Sequence, residues 1–414
     1  MGKQMELYIH IPFCVSKCAY CDFLSGPSDA GTIRRYVEAL TAEVRACGEM
    51  YHDRIITTVF FGGGTPSILT EEQIVVIFRA MRESFRLARD AEITIEMNPG
   101  TVTEGKLRTY REAGINRLSI GLQSVNDREL KMLGRIHTFA DFETTYALAR
   151  KVGFQNINMD LISAIPGQTV ESWRGTLEKA VSMNPEHISA YSLIVEEGTP
   201  FYARYGEGGE GLPSEDEERE IYDLTRRFLE KSGYERYEIS NYAKPGFECR
   251  HNKGYWERTD YLGIGVGAAS LVNNQRFSHI RDVAEYIRLL AQENCSGRKG
   301  AESAPIKSVS GQTAAIKSVS EQNASERIEK IVTERETLDV QAQMEETMFL
   351  GLREMRGVSI PEFEAQFGKT VQDVYGRVLS TMEKEGLLRV KDERICLTER
   401  GVDISNYVMS QFLL

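Results

Sequence analysis

Three cysteines near the start of the chain have the spacing of a metal-cluster loop. Cys14, Cys18 and Cys21 follow a strand-like run and are spaced C-x3-C-x2-C. Thiolates are soft ligands, and three on one loop can converge on a single metal centre. A structural zinc site needs four ligands, so a zinc knuckle here would have to add His10 or a distant histidine. Three thiolates fit a [4Fe-4S] cluster whose fourth iron stays open for an exchangeable ligand. The spacing therefore favours an iron–sulfur cluster.

The cysteine loop belongs to a chain in which predicted strands and helices alternate. Six β-type runs are separated by intervals of helix length: 7–11, 57–61, 92–97, 117–122, 156–162 and 188–194. In the first interval, apolar positions recur every three or four residues and mark one helix face: Ile33, Val37, Leu40, Val44 and Cys47. This alternation predicts a parallel sheet, as a barrel or a doubly wound sheet. Ligands are expected at the carboxyl ends of its strands.

Composition excludes several classes of protein. The 414 residues suggest two or three domains, and 50 basic against 61 acidic residues give a net charge of −11, which argues against a nucleic-acid-binding role. We expect no membrane span, although peripheral contact with a membrane stays open. The strand pattern starts at residue 6 and leaves no room for a signal peptide, so a cytoplasmic location is predicted. The odd count of seven cysteines does not suggest a disulfide framework.

The sequence divides into three parts. Residues 1–290 contain the alternating pattern, and residues 295–328 form a low-complexity insertion with two copies of a ten-residue repeat. Residues 329–414 are predicted to form a small winged-helix-like α+β domain. Its helical patterns lie at 345–355, 359–367 and 371–385, and a two-stranded wing and a last helix follow at 387–397 and beyond. From residue 330 onward, eleven basic and fifteen acidic residues give −4, which argues against DNA binding.

The cysteine loop resembles the signature of a known superfamily. With Tyr20 before the third cysteine, it is similar to the loop of radical SAM proteins, in which S-adenosylmethionine (SAM) chelates the fourth iron. The string YIHIPFC at 8–14 resembles the oxygen-independent coproporphyrinogen III oxidases and their relatives. The resemblance implies a partial (β/α)6 TIM-like barrel followed by a HemN-like C-terminal domain. It also implies that an electron from the reduced cluster can cleave SAM to methionine and a 5′-deoxyadenosyl radical.

Several polar residues at predicted strand ends match SAM-contacting positions of this superfamily. Glu96 stands within an apolar run and needs partners, which ribose hydroxyls or a barrel arginine could supply. The resemblance assigns SAM contacts to Tyr8, Tyr20, Gly63, Gly64, Thr65, Glu96, Gln123, Arg135, Asp160, Ile194 and Ala269. The last match is imperfect, because relatives commonly have Gly-Ala-His-Gly where this chain has Ala-Ala-Ser at 268–270.

A later segment resembles a heme-binding motif. His251, Asn252, Tyr255 and Trp256 match the H-N-x-x-Y-W pattern of HemW-type heme chaperones. An imidazole can ligate heme iron, and the two aromatic rings offer flat surfaces for a porphyrin. Cys249 is a secondary candidate ligand. In the alternative interpretation, the aromatic residues pack against the barrel and His251 is only hydrogen-bonded.

The function predicted from these resemblances is that of a heme chaperone. Such a protein binds a [4Fe-4S] cluster, SAM and heme, uses an electron donor for the cluster, and delivers heme to an acceptor protein such as a respiratory-chain component. One alternative is an oxygen-independent coproporphyrinogen III oxidase. The true oxidases carry an N-terminal extension and a further cysteine where this chain has Phe23. The other alternative is a non-catalytic heme-binding module. No catalytic residue is assigned.

Overall fold

The protein is described by a computed structural model that covers residues 2–206, 211–291 and 324–414. Its centre is a run of six parallel strands, each paired with the next in chain order. They are β1 (Gln4–Ile11), β2 (Ile55–Gly63), β3 (Arg86–Met97), β4 (Arg117–Gln123), β5 (Ile157–Ser163) and β6 (His187–Ser192). The predicted parallel α/β architecture is confirmed. The third strand starts six residues earlier than predicted, and the sixth ends two residues earlier.

Helices connect these strands and cover the sheet. They are α1 (Ala30–Met50), a 3-10 turn (Pro66–Ile68), α2 (Glu71–Ser84), α3 (Glu104–Ala113), α4 (Asp127–Met132), α5 (Phe139–Val152) and α6 (Val170–Ser182). The side chain of Asp29 caps α1 by accepting hydrogen bonds from the backbone N–H groups of Gly31 and Thr32. On the predicted apolar face of this helix, Val37 and Cys47 are buried in the core that the helix shares with the sheet. The N-terminal cap of α1 and the burial of one of its faces together hold this helix against the sheet, where it connects β1 to β2.

The chain then extends the sheet at both edges. After β6 come α7 (Pro200–Tyr205), α8 (Glu215–Lys231), β7 (Glu235–Arg236), β8 (Asn241–Ala243), α9 (Arg250–Trp256), β9 (Tyr261–Ile264), β10 (Ala269–Val272), β11 (Gln275–His279), α10 (Val283–Ala291) and β12 (Val332–Thr337). β8 pairs antiparallel with β6, whereas β9 runs parallel to β1 at the opposite side. Within the described ranges this gives one twelve-stranded sheet in the order β12-β11-β10-β9-β1-β2-β3-β4-β5-β6-β8-β7.

The C-terminal residues fold around a hydrophobic cluster of their own. The elements are α11 (Val340–Gly351), β13 (Val358–Ser359), α12 (Ile360–Phe367), α13 (Val371–Lys384), β14 (Leu388–Lys391), β15 (Arg394–Leu397), α14 (Glu399–Asp403) and α15 (Ser405–Ser410). The predicted wing is the antiparallel pair β14–β15, and β13 adds a third strand. The predicted last helix is two short helices, and α11 begins five residues before the predicted start. Helices with a small sheet agree with the predicted α+β class.

Two predictions, the repeated insertion and the domain boundaries, involve residues outside the described part of the chain. The repeated insertion predicted at 295–328 lies outside the described residues up to position 323, while 324–329 is helical. The proposed domain boundaries stay a prediction. In the parts of the chain that the structure covers, no helix combines the length and hydropathy needed to cross a bilayer.

Candidate functional site

The cysteine loop leaves the carboxyl end of β1 and is closed at its base by backbone hydrogen bonds. The N–H of Gly26 donates to the carbonyl of Pro12, and the N–H of Cys14 donates to the carbonyl of Gly26, both at 3.0 Å. At the tip, the N–H of Cys21 donates to the carbonyl of Cys18 at 3.2 Å. Cys14 is buried and the other two cysteines are half-buried. The three thiols are therefore held on one short, closed loop.

The donor set of this loop fits an iron–sulfur cluster. All six cysteines among the described residues are free, and burial raises the pKa of the Cys14 thiol, an effect that the charges of Cys18 and Cys21 add to. Both ring nitrogens of His10 are engaged, Nδ1 with the Tyr8 hydroxyl at 3.0 Å and Nε2 with the Leu24 carbonyl at 2.9 Å. His10 is thus not free to complete a zinc site.

The ligand count separates the two metal hypotheses. A [4Fe-4S] cluster of this kind takes three protein thiolates, each bound to a different iron, whereas a structural zinc ion takes four ligands. The loop supplies three cysteines, and His10 is engaged elsewhere. Binding of a cluster by Cys14, Cys18 and Cys21 stays a prediction.

The glycine run after β2 packs against the cysteine loop. A Cβ on Gly63, which has a φ of +111°, would lie 2.6 Å from the His10 ring, and a Cβ on Gly64 would lie 2.5 Å from the Phe13 carbonyl oxygen. The N–H groups of Gly64 and Thr65 donate to the carbonyls of Ile11 and Phe13 at 2.8 and 2.7 Å. Only glycines allow this approach. The run supports the cysteine loop directly, and SAM contact at these residues stays a prediction.

A cavity of about 230 Å³ opens beside this loop, inside the curved sheet. Its lining includes the predicted SAM residues Tyr8, Gly63, Glu96 and Asp160. Burial, reinforced by the negative charge of Asp160, raises the pKa of Glu96 to about 8, although Glu96 accepts a hydrogen bond from the Gly63 N–H at 3.2 Å. Among the described residues, Glu96 makes no ion pair with an arginine. It is therefore a carboxylate short of donors, which the hydroxyls of a ribose would supply.

Asp160 has a different environment from Glu96. Its carboxylate accepts hydrogen bonds from the Ser119 hydroxyl at 2.9 Å and the Asn158 amide at 2.8 Å. Burial still raises its pKa, since these neutral donors replace water only in part. Asp160 and Glu96, on the strands β5 and β3 that flank β4, thus place two carboxyl groups in the cavity wall, which Arg117 of β4 also lines.

Arg135 joins the cysteine loop to the strand ends. Its guanidinium donates to the Cys18 sulfur at 3.5 Å, to Oδ1 of Asn98 at 2.6 Å and to the Gly121 carbonyl at 3.1 Å. Asn98 in turn donates to the Thr65 hydroxyl at 2.8 Å. A cation held beside a cluster cysteine can stabilise the negative charge of a cluster or pair with a carboxylate of a ligand.

The four remaining residues with a predicted SAM contact differ in burial and in position. Gln123 is buried next to Arg135 and has a φ of +67°, a strained value for a residue with a side chain. The Tyr20 ring packs edge-on against Phe201 close to Arg135. Ile194 is 67% exposed in the loop after β6, and Ala269 is exposed at the start of β10. None of these four residues is part of the cavity lining at Glu96.

The segment that resembles a heme motif forms α9 and reaches the same cavity. His251, Asn252 and Tyr255 all line it beside Glu96 and Asp160. His251 is only 1% exposed and is stacked on the Phe60 ring at 5.2 Å. Burial, with a smaller contribution from Arg117, lowers its pKa to about 3, so the ring is neutral. Nδ1 lies 2.6 Å from the Thr58 hydroxyl and Nε2 lies 3.0 Å from the Tyr255 hydroxyl.

This arrangement corresponds to the alternative interpretation of the motif. His251 is hydrogen-bonded through both ring nitrogens, and the Tyr255 ring packs edge-on against Tyr261 with centroids 4.7 Å apart. Cys249 is fully buried, and its thiol donates to Glu92 at 3.6 Å, while burial raises its pKa to about 12. Heme contact at any of these residues stays a prediction.

Trp256 is separated from the rest of the motif. It lines a second cavity, between α9 and the C-terminal helices, and not the one at Glu96. The four motif residues therefore do not share one surface.

Sequence reasoning missed several residues of the first cavity. Arg117, at the start of β4, is buried within its wall, and its Nε has no hydrogen-bond partner among the described residues. Sequence reasoning also missed Asn98, which lies outside this cavity and links Thr65 to Arg135 beside the cysteine loop. A single arginine or asparagine at a strand end gives no distinct sequence signal. Phe23 is distinctive in the sequence only as the position of the missing cysteine, yet it is 69% exposed and contributes to the cavity lining.

Known proteins resemble this chain in both fold and sequence. A model of the radical SAM superfamily matches residues 8–180, and a model of the HemN C-terminal domain matches residues 338–404. Coproporphyrinogen III oxidase (HemN) from Escherichia coli, a radical SAM enzyme, superimposes with a TM-score of 0.80 at 23% identity, covering 100% of this chain and 90% of that one. The parallel sheet and the cysteine loop thus define a radical SAM protein.

Sequence identity then specifies the family. The heme chaperone HemW of Lactococcus lactis subsp. lactis is 34% identical over 414 residues, which are 100% of this chain and 98% of the relative. HemW of Bacillus subtilis is 34% identical over 407 residues, with 98% of each chain covered. HemW of Escherichia coli is 41% identical over 270 residues, 64% of this chain and 69% of that one. The chain belongs to the HemW family of heme chaperones.

Proposed function

We propose that this protein binds heme and delivers it to an acceptor protein, and that it does so with a [4Fe-4S] cluster and SAM bound. One observation carries the proposal. A single cavity next to the cysteine loop is lined both by Glu96 and Asp160 and by the motif residues His251, Asn252 and Tyr255. Residues predicted to contact SAM and residues of the predicted heme motif therefore line one cavity, which supports a function that couples the two ligands.

The cluster and SAM would be held by residues that the structure brings together. Cys14, Cys18 and Cys21 would each bind one iron, with Arg135 compensating negative charge beside Cys18. Glu96 would accept hydrogen bonds from ribose hydroxyls, which supply the donors that it lacks. When bound and reduced, the cluster supplies the electron that cleaves SAM.

The charge state of His251 suits it to bind heme iron. Both of its ring nitrogens, however, are already in contact with protein hydroxyl groups. The lowered pKa keeps the imidazole neutral, which is the form that binds a metal. Its nitrogens face Thr58 and Tyr255, so heme must displace one of these contacts. We propose that Tyr255 moves, because its side chain lines the cavity whereas that of Thr58 does not.

Heme titration of the reconstituted protein tests this function. The His251→Ala variant should alter the heme absorption spectrum and weaken binding, whereas His52→Ala, which changes an exposed histidine, should do neither. Equal affinity and an identical spectrum for the wild type and His251→Ala would remove His251 from the heme site. Failure of the wild type to take up heme would overturn the proposed function itself.

We further propose a cytoplasmic location, with an electron donor and a heme acceptor as partners. Support comes from the free thiols of the six described cysteines, which suit a reducing compartment. A respiratory-chain component is an acceptor of the expected kind, since heme proteins there need a heme supply.

A further inference from the structure

The C-terminal part of the chain holds the end of α9, the helix that carries the predicted heme motif. Trp256, Glu257 and Arg258 are successive residues, and each contacts a different charged side chain from α11 or the turn after it. The guanidinium carbon of Arg353 lies 4.4 Å from the centroid of the Trp256 ring, and Arg356 forms an ion pair with Glu257. Trp256, the motif residue outside the first cavity, thus helps to anchor α9.

The third contact is the most buried one. Nε of Arg258 donates to Oε2 of Glu346, on α11, at 2.9 Å, and the two side chains are 5% and 7% exposed. The other carboxylate oxygen of Glu346 lies 2.7 Å from Nη1 of Arg276, on β11. A buried ion pair is costly to break, because the charge that remains has lost its partner. Glu346 therefore ties two arginines of the N-terminal part to α11.

The backbone at Arg258 closes α9 directly behind Tyr255. Arg258 has a φ of +54°, a left-handed conformation that costs free energy for a residue with a side chain. Its N–H donates to the Tyr255 carbonyl at 3.3 Å, and the N–H of Thr259 donates to the Gly254 carbonyl at 2.9 Å. The ion pair of Arg258 with Glu346 helps to hold this turn.

A second path of contacts leads from Glu346 to the same tyrosine. Burial raises the pKa of Tyr261, and the nearby charge of Arg276 opposes this rise. The Tyr261 ring packs edge-on against the Tyr255 ring, whose hydroxyl lies 3.0 Å from Nε2 of His251. Both paths therefore end at the residue that contacts the predicted heme ligand.

We infer that Glu346 is a positioning residue for heme binding, because it holds Tyr255 in contact with His251. It acts through its two ion pairs, with Arg258 behind α9 and with Arg276 on β11. The inference rests on the proposed function, in which heme iron binds His251 after Tyr255 moves. Removal of the Glu346 carboxylate therefore makes the movement of Tyr255 easier. The C-terminal part of the chain thereby limits how readily heme reaches His251.

Heme association rates of the full-length, reconstituted protein test the inference. Glu346→Gln removes the charge but keeps the size of the side chain, so the rate should rise at least about twofold, an effect usual within one ion-pair network. Arg258→Gln should act in the same direction, and it leaves Glu346 paired with Arg276 if Glu346→Gln does not fold. In a Tyr255→Phe background neither change should have a further effect. Glu383→Gln, at an exposed position on α13, should leave the rate unchanged.

Hydrogen–deuterium exchange read by mass spectrometry tests the restraint on α9 without heme. The amides of residues 250–258 should exchange faster in Glu346→Gln than in the wild type or in Glu383→Gln. Those of β3, β4 and β5 should be unaffected, which distinguishes a local loosening from unfolding. Equal exchange of residues 250–258 in all three proteins would overturn the inference.

The outcomes separate this inference from the proposed function. Heme uptake with a rate that is indifferent to both Glu346→Gln and Arg258→Gln overturns the inference and leaves the chaperone function standing. An equal rise in rate with and without the Tyr255 hydroxyl also overturns it, since the carboxylate would then not act through Tyr255. Faster exchange of residues 250–258 in Glu346→Gln, together with no heme uptake by the wild type, supports the restraint and overturns the heme function.

Discussion

The hydroxyl oxygen of Tyr255 lies 3.0 Å from Nε2 of His251, one helical turn earlier on α9. With Thr58 at 2.6 Å from Nδ1, both nitrogens of this buried, neutral ring are engaged. Protein hydroxyl groups therefore contact both nitrogens of the residue that the family motif associates with heme. Freeing one nitrogen of His251 from its hydroxyl contact costs a free energy of the order of one hydrogen bond.

Removal of the Tyr255 hydroxyl should favour heme binding through His251. Tyr255→Phe keeps the ring that packs against Tyr261 but frees Nε2, and a buried hydrogen bond is worth about 1 kcal/mol, so affinity should rise about fivefold. Stopped-flow absorption and equilibrium titration measure the effect. Tyr407→Phe, at an exposed tyrosine, serves as the control. Weaker heme binding by Tyr255→Phe would mean that the hydroxyl contacts heme rather than competing with it.

Arg135 should affect the cluster and SAM together. Arg135→Gln removes the cation 3.5 Å from the Cys18 sulfur and the bridge to Asn98. We expect a more negative reduction potential for the reconstituted cluster and SAM binding weakened about tenfold. Electron paramagnetic resonance during a redox titration, and isothermal calorimetry with SAM, measure these effects. Arg128→Gln, at an exposed position on α4, should change neither quantity, and an Arg135→Gln variant that matched it would contradict the assignment.

SAM binding should depend on pH through Glu96. Its pKa of about 8, raised by burial and by Asp160, means that this carboxyl group is mostly protonated near neutral pH before SAM binds. Ribose hydroxyls donate to the ionised form, so affinity should increase as pH rises towards and through the pKa, by about 20-fold between roughly pH 6.5 and 8.5. Calorimetry at several pH values measures this slope. Glu96→Gln should bind SAM more weakly with a flat profile, and an unchanged slope in that variant would exclude Glu96 as its cause.

Glu6 should make folding stability fall with rising pH. The side chain is buried, with the residue 3% exposed, and burial raises its pKa from 4.5 to about 9. The folded state keeps a proton that the unfolded state releases above its ordinary pKa. Stability from this group is therefore complete below about pH 4.5 and is lost as pH rises towards 9, by up to about 1.4 kcal/mol per pH unit. Glu6→Gln should flatten the pH dependence of the unfolding temperature between about pH 6 and 8.5, and a slope equal to that of the wild type would refute this.

The periodic recurrence of apolar residues is sufficient to predict the main helices and strands of the fold. Local patterns of apolar residues predict the six parallel strands and the buried face of α1. The spacing of the cysteines predicts the loop that carries them. Helix geometry also explains which cavity each aromatic residue of the motif on α9 lines. On a helix, position i+4 shares a face with position i, whereas i+5 lies well round the axis. Tyr255 therefore joins His251 at the first cavity, and Trp256 faces the second.

Other features of the site depend on contacts between distant segments. Arg117 has no local pattern that marks it as part of a cavity wall, and its place there results from the pairing of β4 between β3 and β5. Asn98 likewise acquires its role only when the ends of β2 and β4 meet beside it, where it bridges Thr65 and Arg135. Such residues could not be predicted from the sequence, because strand pairing creates their environment.

The most direct test of the chaperone function is anaerobic reconstitution of the cluster, followed by two measurements on the same sample. Heme uptake and its transfer to an apo heme protein are recorded by absorption, and conversion of coproporphyrinogen III to protoporphyrinogen is recorded by fluorescence after oxidation. We predict stoichiometric heme uptake, transfer to the acceptor and no sustained porphyrinogen turnover. Steady multiple turnover of coproporphyrinogen without heme uptake would contradict the proposed function and identify an oxidase instead.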